Sequence, residues 1–228
     1  MIISHTHKFI FIKSWKTAGT SIEAALSEYC SGEDIVTPLG DYDFNRSGNG
    51  EWVHKSLNAG DFKQHDYAQT IKDKLAPEIW QTYFKFSIAR NPWDRAVSFF
   101  FWEKRRDPSL TPKKRFYHHL GVPYDDFRQI KKQFSKYIKG EWLNNDGFYV
   151  IDDALCVDFV IRYEHLSEDF QEACRRIGVP AKELPRLKAG IRKQQRHYSE
   201  YFDEESMRIV AARHQNDIKL FGYQFERP

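Results

Sequence analysis

The chain has 228 residues, 41% of them hydrophobic and 29% charged, with a formal net charge of +3. That balance excludes intrinsic disorder, and the charge is too small to argue nucleic-acid binding by itself. The length suits one α/β domain with insertions and a sizeable core. No apolar run approaches the ~18 residues of a membrane helix.

The first predicted element is a strand over 8–12, carried by Phe9, Ile10, Phe11 and Ile12. It feeds a short loop of Lys, Thr, Gly and Ser that opens into a helix with Ile22, Ala25, Leu26 and Tyr29 at helical spacing. Thr20 and Glu23 have the spacing of a capping box at its start. Free N–H groups and the positive end of a helix dipole converge at such a turn. Lys16 adds charge, and Thr17, Thr20 and Ser21 add hydroxyls, so a phosphate or sulfate is the expected guest. The loop is not a Walker A motif, because Lys16 precedes its single Gly19 instead of following a second glycine.

Residues 31–63 are a polar excursion, of the length that is usually functional or disordered. Residues 66–82 read as helical on either side of Pro77. A second strand is predicted over 84–89, where Phe84, Phe86 and Ile88 alternate with Lys85, Ser87 and Ala89. Arg90 ends it, Asn91 is an N-cap and Pro92 fills the first helical position. The helix runs through Trp93, Val97, Phe100 and Phe101. Its Phe99–Trp102 run is read as core, with Trp102 the candidate exception. Residues 103–122 are basic and irregular, and 124–139 place Phe127, Ile130, Phe134, Tyr137 and Ile138 on one helical stripe. A strand over 157–162 follows, then a helix capped by Ser167 and ended by Gly178, and a last helix from Asp203 to Leu220. Alternating strands and helices predict an α/β fold, with a mainly parallel central sheet of about four or five strands flanked by helices. Two strand-to-helix junctions, each with a cation, suggest a ligand with two anionic ends bound outside the carboxyl edge of that sheet.

The pair KTAGTS (Lys16 to Ser21) and ARNPWDRAVS (Ala89 to Ser98) resembles the sulfotransferases that use 3′-phosphoadenosine 5′-phosphosulfate, most closely the carbohydrate-type branch. VDFVIRYEHLSEDF and the closing DIKLFGYQF are similar to later segments of that family. The resemblance implies a P-loop-like fold and a single domain over 1–228, with 31–63 and 103–150 as acceptor-side insertions. It implies that Lys16, Thr17, Ala18, Gly19, Thr20 and Ser21 hold the 5′-phosphosulfate, and that Arg90 and Ser98 hold the 3′-phosphate. It further implies that one residue of a basic loop (Lys188, Arg192, Lys193, Arg196) reaches the nucleotide, with Arg192 and Lys193 as candidates. One departure stands out: the family usually has Pro before the loop lysine, and this chain has Trp15, whose indole would pack on the nucleotide or into the core.

Sulfuryl transfer resembles phosphoryl transfer in needing positioning, stabilisation of charge on the leaving group and a base for the acceptor hydroxyl. Lys16 is the candidate for the leaving-group charge. His65, in KQHDYAQTIKDKL, is the candidate base; His54 is the runner-up, with Asp61 and Glu51 as further alternatives. No metal is expected. The acceptor implied is a hydroxyl on a saccharide or glycolipid, and neither its identity nor the oligomeric state is legible. A nucleotide kinase or NTPase would need Gly-Lys-Ser/Thr order and a Walker-B carboxylate, and a non-catalytic polyanion binder would lack selectivity for a nucleotide 3′-phosphate. With no signal-peptide pattern ahead of the first strand, and with Cys30, Cys156 and Cys174 in apolar contexts without metal spacing, a cytoplasmic protein with reduced thiols is expected.

Overall fold

A computed structural model describes residues 1–39, 56–106, 127–140, 144–185, 187 and 196–228. In chain order its elements are β1 (Ile2–Ser4), β2 (Phe9–Phe11), α1 (Gly19–Ser27), β3 (Ile35–Val36), α2 (Ala68–Lys74), α3 (Pro77–Thr82), β4 (Phe84–Ala89) and α4 (Pro92–Arg106). After these come α5 (Phe127–Lys139), a 3-10 turn at Asp146–Phe148, β5 (Val150–Ile151), β6 (Ala154–Leu155), β7 (Phe159–Arg162), α6 (Leu166–Ile177), a second such turn at Tyr198–Tyr201, α7 (Glu204–Arg213) and α8 (Gln215–Phe221). They divide into two compact units, Met1–Arg90 with Asn145–Leu187, and Asn91–Asn144 with Lys188–Pro228.

The first unit is built on a five-stranded sheet of order β3-β1-β2-β4-β7. The three strands expected from the sequence are its parallel part: β2 pairs β4 with Phe9 opposite Phe84, and β4 pairs β7 with Phe86 opposite Phe159. Side chains alternate across a strand, so this register brings Phe9, Phe11, Phe86, Ile88 and Ile161 to one face. That face is closed by Ile22, Ala25 and Leu26 of α1 and by Phe170, Ala173, Cys174 and Ile177 of α6. Its opposite face is also buried, with Lys85 8% and Ser87 0% exposed. This is the double burial expected of parallel strands.

Two short strands of this sheet escaped the sequence reading. β1 pairs antiparallel with β2 and with β3, which lies inside the polar excursion. Asp34 fixes this corner: its carboxylate accepts from the backbone of His5 at 2.6 Å, Thr6 at 3.0 Å and Ser31 at 3.0 Å. At only three and two residues, these strands are too short to leave a periodic signal.

The second unit is helical. Asn91 caps α4 as expected, its side-chain oxygen accepting from Trp93 N at 3.1 Å and Asp94 N at 3.3 Å. Phe99, Phe100 and Phe101 are buried and Trp102 is half-buried. α4 continues through Lys104, Arg105 and Arg106, where an irregular segment was expected. The predicted stripe on α5 is buried at Ile130, Phe134 and Ile138. The expected last helix is two: the backbone leaves helical geometry at His214 (ψ 34°), whose buried ring meets Arg95 and Asn144. Gly178 ends α6 with φ 72°, but Ser167 is not the cap, since α6 begins at Leu166 after His165.

Candidate active site

β2 and β4 are parallel neighbours, so both sequence motifs open at the same carboxyl edge of the sheet. Past β2 the ladder continues for one bond, Ile12 N to Phe86 O at 2.9 Å. The chain then turns through residues 13–18. Ser14 Oγ donates to Ile88 O at 2.6 Å and lies 2.8 Å from Thr17 Oγ1. The Thr17 hydroxyl also donates to Ser14 O at 3.2 Å. Its single proton is therefore engaged in bracing the loop.

Lys16 (φ 61°) and Ala18 (φ 67°) both occupy the left-handed region. Each such residue costs ~1–3 kcal/mol and persists only where its surroundings hold it there. Left-handed residues alternating with others gather successive N–H groups into a concavity that suits anions. Ala18 is also the N-cap of α1, without a side-chain cap bond. The expected Thr20–Glu23 capping box is thus corrected: the N-cap is Ala18, two residues earlier, and Glu23 turns inward to pair with the buried Lys13 ammonium. Burial alone would raise the Glu23 pKa, but Lys13 and the Met1 amino group hold it down at about 2. Gly19 has its own reason to be glycine. A Cβ there would lie 2.8 Å from Lys13 Cγ, so the Lys13 side chain runs beneath the loop because residue 19 has no side chain.

Arg90 leaves the end of β4 and donates from Nη1 to the Lys16 carbonyl at 2.9 Å. Its guanidinium lies 3.8 Å from the centroid of the Tyr163 ring, just past β7. One side chain thus links the ends of three parallel strands and ties Arg90 to the backbone of Lys16.

His65 lies beside the same loop. Its Nδ1 is 2.9 Å from the Lys13 carbonyl. A carbonyl only accepts, so Nδ1 carries the proton and Nε2 carries the lone pair. The imidazole is stacked on Trp15, ring centroids 3.6 Å apart at 16°, and meets Phe148 edge-on at 6.2 Å. Burial first, then the Lys13 ammonium, pushes its pKa down to about 3, against the opposing effect of the Lys13 carbonyl bond. The ring is neutral at ordinary pH.

Ser98 is half-buried on α4 of the second unit. Arg196 is engaged with Glu200 at 2.8 Å and with the Phe127 ring. Asp61 is exposed. Lys188, Arg192, Lys193, His54 and Glu51 lie outside the described residues. Sequence reading missed Lys13, whose charge inside a buried strand end carries no pattern, and Asn145, which belongs to no motif. Among the described residues no group of three His, Cys, Asp or Glu side chains is arranged to hold a metal ion, and no helix is long and apolar enough to cross a membrane.

A family profile described as "Sulfotransferase family" matches residues 1–224. The chain is 25% identical over 119 residues to an uncharacterized protein of Archaeoglobus fulgidus, covering 50% of this chain and 82% of that one. It is also 25% identical over 173 residues to carbohydrate sulfotransferase 10 of Homo sapiens and of Pongo abelii, covering 63% of this chain. That alignment spans 48% of each, so the chain covers about half the length of these relatives. No solved structure matches.

Proposed function

This chain belongs to the sulfotransferase family, and from that premise we propose that it moves a sulfuryl group from 3′-phosphoadenosine 5′-phosphosulfate to a carbohydrate hydroxyl. The observation that carries the reading is the Arg90–Lys16 link, which joins the two anion-suited strand ends at one edge of the sheet. Likeness to proteins named carbohydrate sulfotransferase 10 supports the sugar acceptor.

In this reading the residue 16–21 turn and the N-terminus of α1 hold the 5′-phosphosulfate through backbone N–H groups, Thr20 and Ser21. Arg90 binds the 3′-phosphate, and Ser98, Arg192 and Lys193 keep the nucleotide assignments that the resemblance implies. The acceptor oxygen attacks sulfur in line, the bond from sulfur to the bridging oxygen breaks, and 3′-phosphoadenosine 5′-phosphate leaves. Lys16 stabilises the charge growing on the bridging oxygen. His65 Nε2 takes the acceptor proton as the new S–O bond forms. A pKa of about 3 makes the imidazole by itself a weak base. The anionic donor favours its charged form and so raises that pKa when it binds.

The direct test is thermal shift with 3′-phosphoadenosine 5′-phosphate, ADP and ATP, since a ligand selective for the native state raises its melting temperature. The 3′-phosphorylated nucleotide is expected to give the largest shift. Equal shifts from all three, or preference for ATP, would overturn the reading.

A further inference from the structure

Trp15 occupies the position where the resembled motif carries proline, and it is held in an unusual way. One buried side chain grips its peptide on both polar groups: Asn145 Oδ1 accepts from Trp15 N at 3.3 Å, and Asn145 Nδ2 donates to Trp15 O at 2.9 Å. Asn145 is 1% exposed. Directly after it, the 3-10 turn delivers Phe148, which is buried and packs on both His65 and Tyr67. A proline at position 15 would have no ring to stack and no N–H for Asn145 to accept. The tryptophan and the asparagine therefore form one device, absent from a chain with the usual motif.

We propose that Trp15, held by Asn145, is a positioning residue that fixes the orientation and tautomer of His65 so that Nε2 faces the acceptor. This rests on the reading of His65 as the base. Three contacts hold the imidazole: the indole covers one face, Phe148 meets it edge-on, and the Lys13 carbonyl takes the Nδ1 proton. Turning the ring over would forfeit that hydrogen bond, and the indole leaves little room to turn. The titratable groups acting on the ring are Lys13 at the end of β2, the Met1 amino group beside β1 and Glu23 on α1. An indole face also favours an imidazolium. That attraction is well short of the desolvation effect, so uncovering the ring raises the pKa.

The first test reads the ring nitrogens by NMR on labelled protein and needs no activity. In the native chain His65 is expected as the Nδ1–H tautomer, neutral to well below pH 5. Trp15→Ala should mix the tautomers and move the titration upward, and Trp15→Phe, which keeps a stacked ring, should restore both. An Nε2–H tautomer or an ordinary titration in the native chain overturns the proposal, even if Trp15→Ala fails to fold. So does a Trp15→Ala spectrum indistinguishable from native.

The second test is a double-mutant cycle on transfer from 3′-phosphoadenosine 5′-phosphosulfate to desulfated chondroitin. Trp15→Ala alone should slow transfer by up to ~10²-fold, the scale of a misplaced catalytic group. In a His65→Ala background it should add nothing. An equal loss in both backgrounds means that Trp15 acts through the phosphate loop, which overturns the inference and leaves the base assignment standing. Full transfer by His65→Ala overturns the base assignment itself, and the inference with it.

Discussion

Arg90 donates a hydrogen bond from its guanidinium to the backbone carbonyl of Lys16, 2.9 Å away. The two residues are far apart in sequence and lie beyond the ends of adjacent parallel strands. The bond makes the second motif a strut for the first, so the residue that ends β4 also holds the loop that follows β2.

Arg90→Ala is expected to weaken binding of 3′-phosphoadenosine 5′-phosphate by ~2–3 kcal/mol, the scale for hydrogen bonds to charged groups. ADP should lose much less, so the gap between the two nucleotides should close. Arg90→Lys should not rescue it, because lysine has no planar fork to bond Lys16 O while lying on Tyr163. Calorimetry with both nucleotides measures this, and equal binding of the two by native protein would remove the assignment.

Lys16→Ala and His65→Ala should separate. In the proposed mechanism Lys16 acts on the leaving group, so its loss should slow transfer to every acceptor and to water alike. His65 in that mechanism acts on the acceptor, so its loss should cut acceptor transfer by ~10²–10⁴ with nucleotide affinity nearly unchanged. Donor binding raises the His65 pKa in this scheme. The acid limb of kcat should therefore lie at higher pH than that of kcat/KM, and both should vanish in His65→Ala. If both limbs survive, the base is elsewhere, and His54 is the next residue to test.

Acid stability should fall in two stages. His65 titrates ordinarily near 6.5 and when folded near 3, so the stability from its neutral burial is present above about 6.5 and lost as pH falls towards 3. Glu23 goes from 4.5 to about 2, so its contribution is present above about 4.5 and lost as pH falls towards 2. Denaturant titration against pH should show His65→Gln flattening the upper stage. Glu23→Gln should lower stability at pH 7 by ~3–5 kcal/mol, because it leaves the Lys13 charge buried without its partner. Coupling Glu23→Leu to Lys13→Met should recover much of that loss. If the single variant matches native stability, the pair is not buried as described.

Gly19→Ala should destabilise the chain by ~1–3 kcal/mol, as overpacking does, because the new methyl meets Lys13 Cγ at 2.8 Å. Lys13 cannot swing aside without breaking its pair with Glu23. A melting temperature equal to native would show that the stem has room to move. Loss of nucleotide binding without loss of stability would assign Gly19 to ligand approach instead.

Strands β2, β4 and β7 were legible because each is a run of apolar residues ending at a polar turn, the mark of a strand buried on both faces. Asn91 and Pro92 marked the start of α4 because capping is local chemistry. Lys16, Arg90 and the loop around them were likewise readable, since a strand, a short polar turn and a helix are contiguous in the chain. Tertiary structure alone decided the rest. No local rule shows that Glu23 faces Lys13 and not Thr20, because burial of a charge is decided by a partner ten residues away. Nor does any local rule place Asn145 on Trp15, or Trp15 on His65, since those contacts join segments whose sequence separation carries no periodicity. The sequence by itself determined where the two cation-bearing strand-to-helix turns lie. Only the packing of distant side chains decided which nitrogen of His65 is bare, because a tautomer is set by the one carbonyl that the fold brings to the other nitrogen.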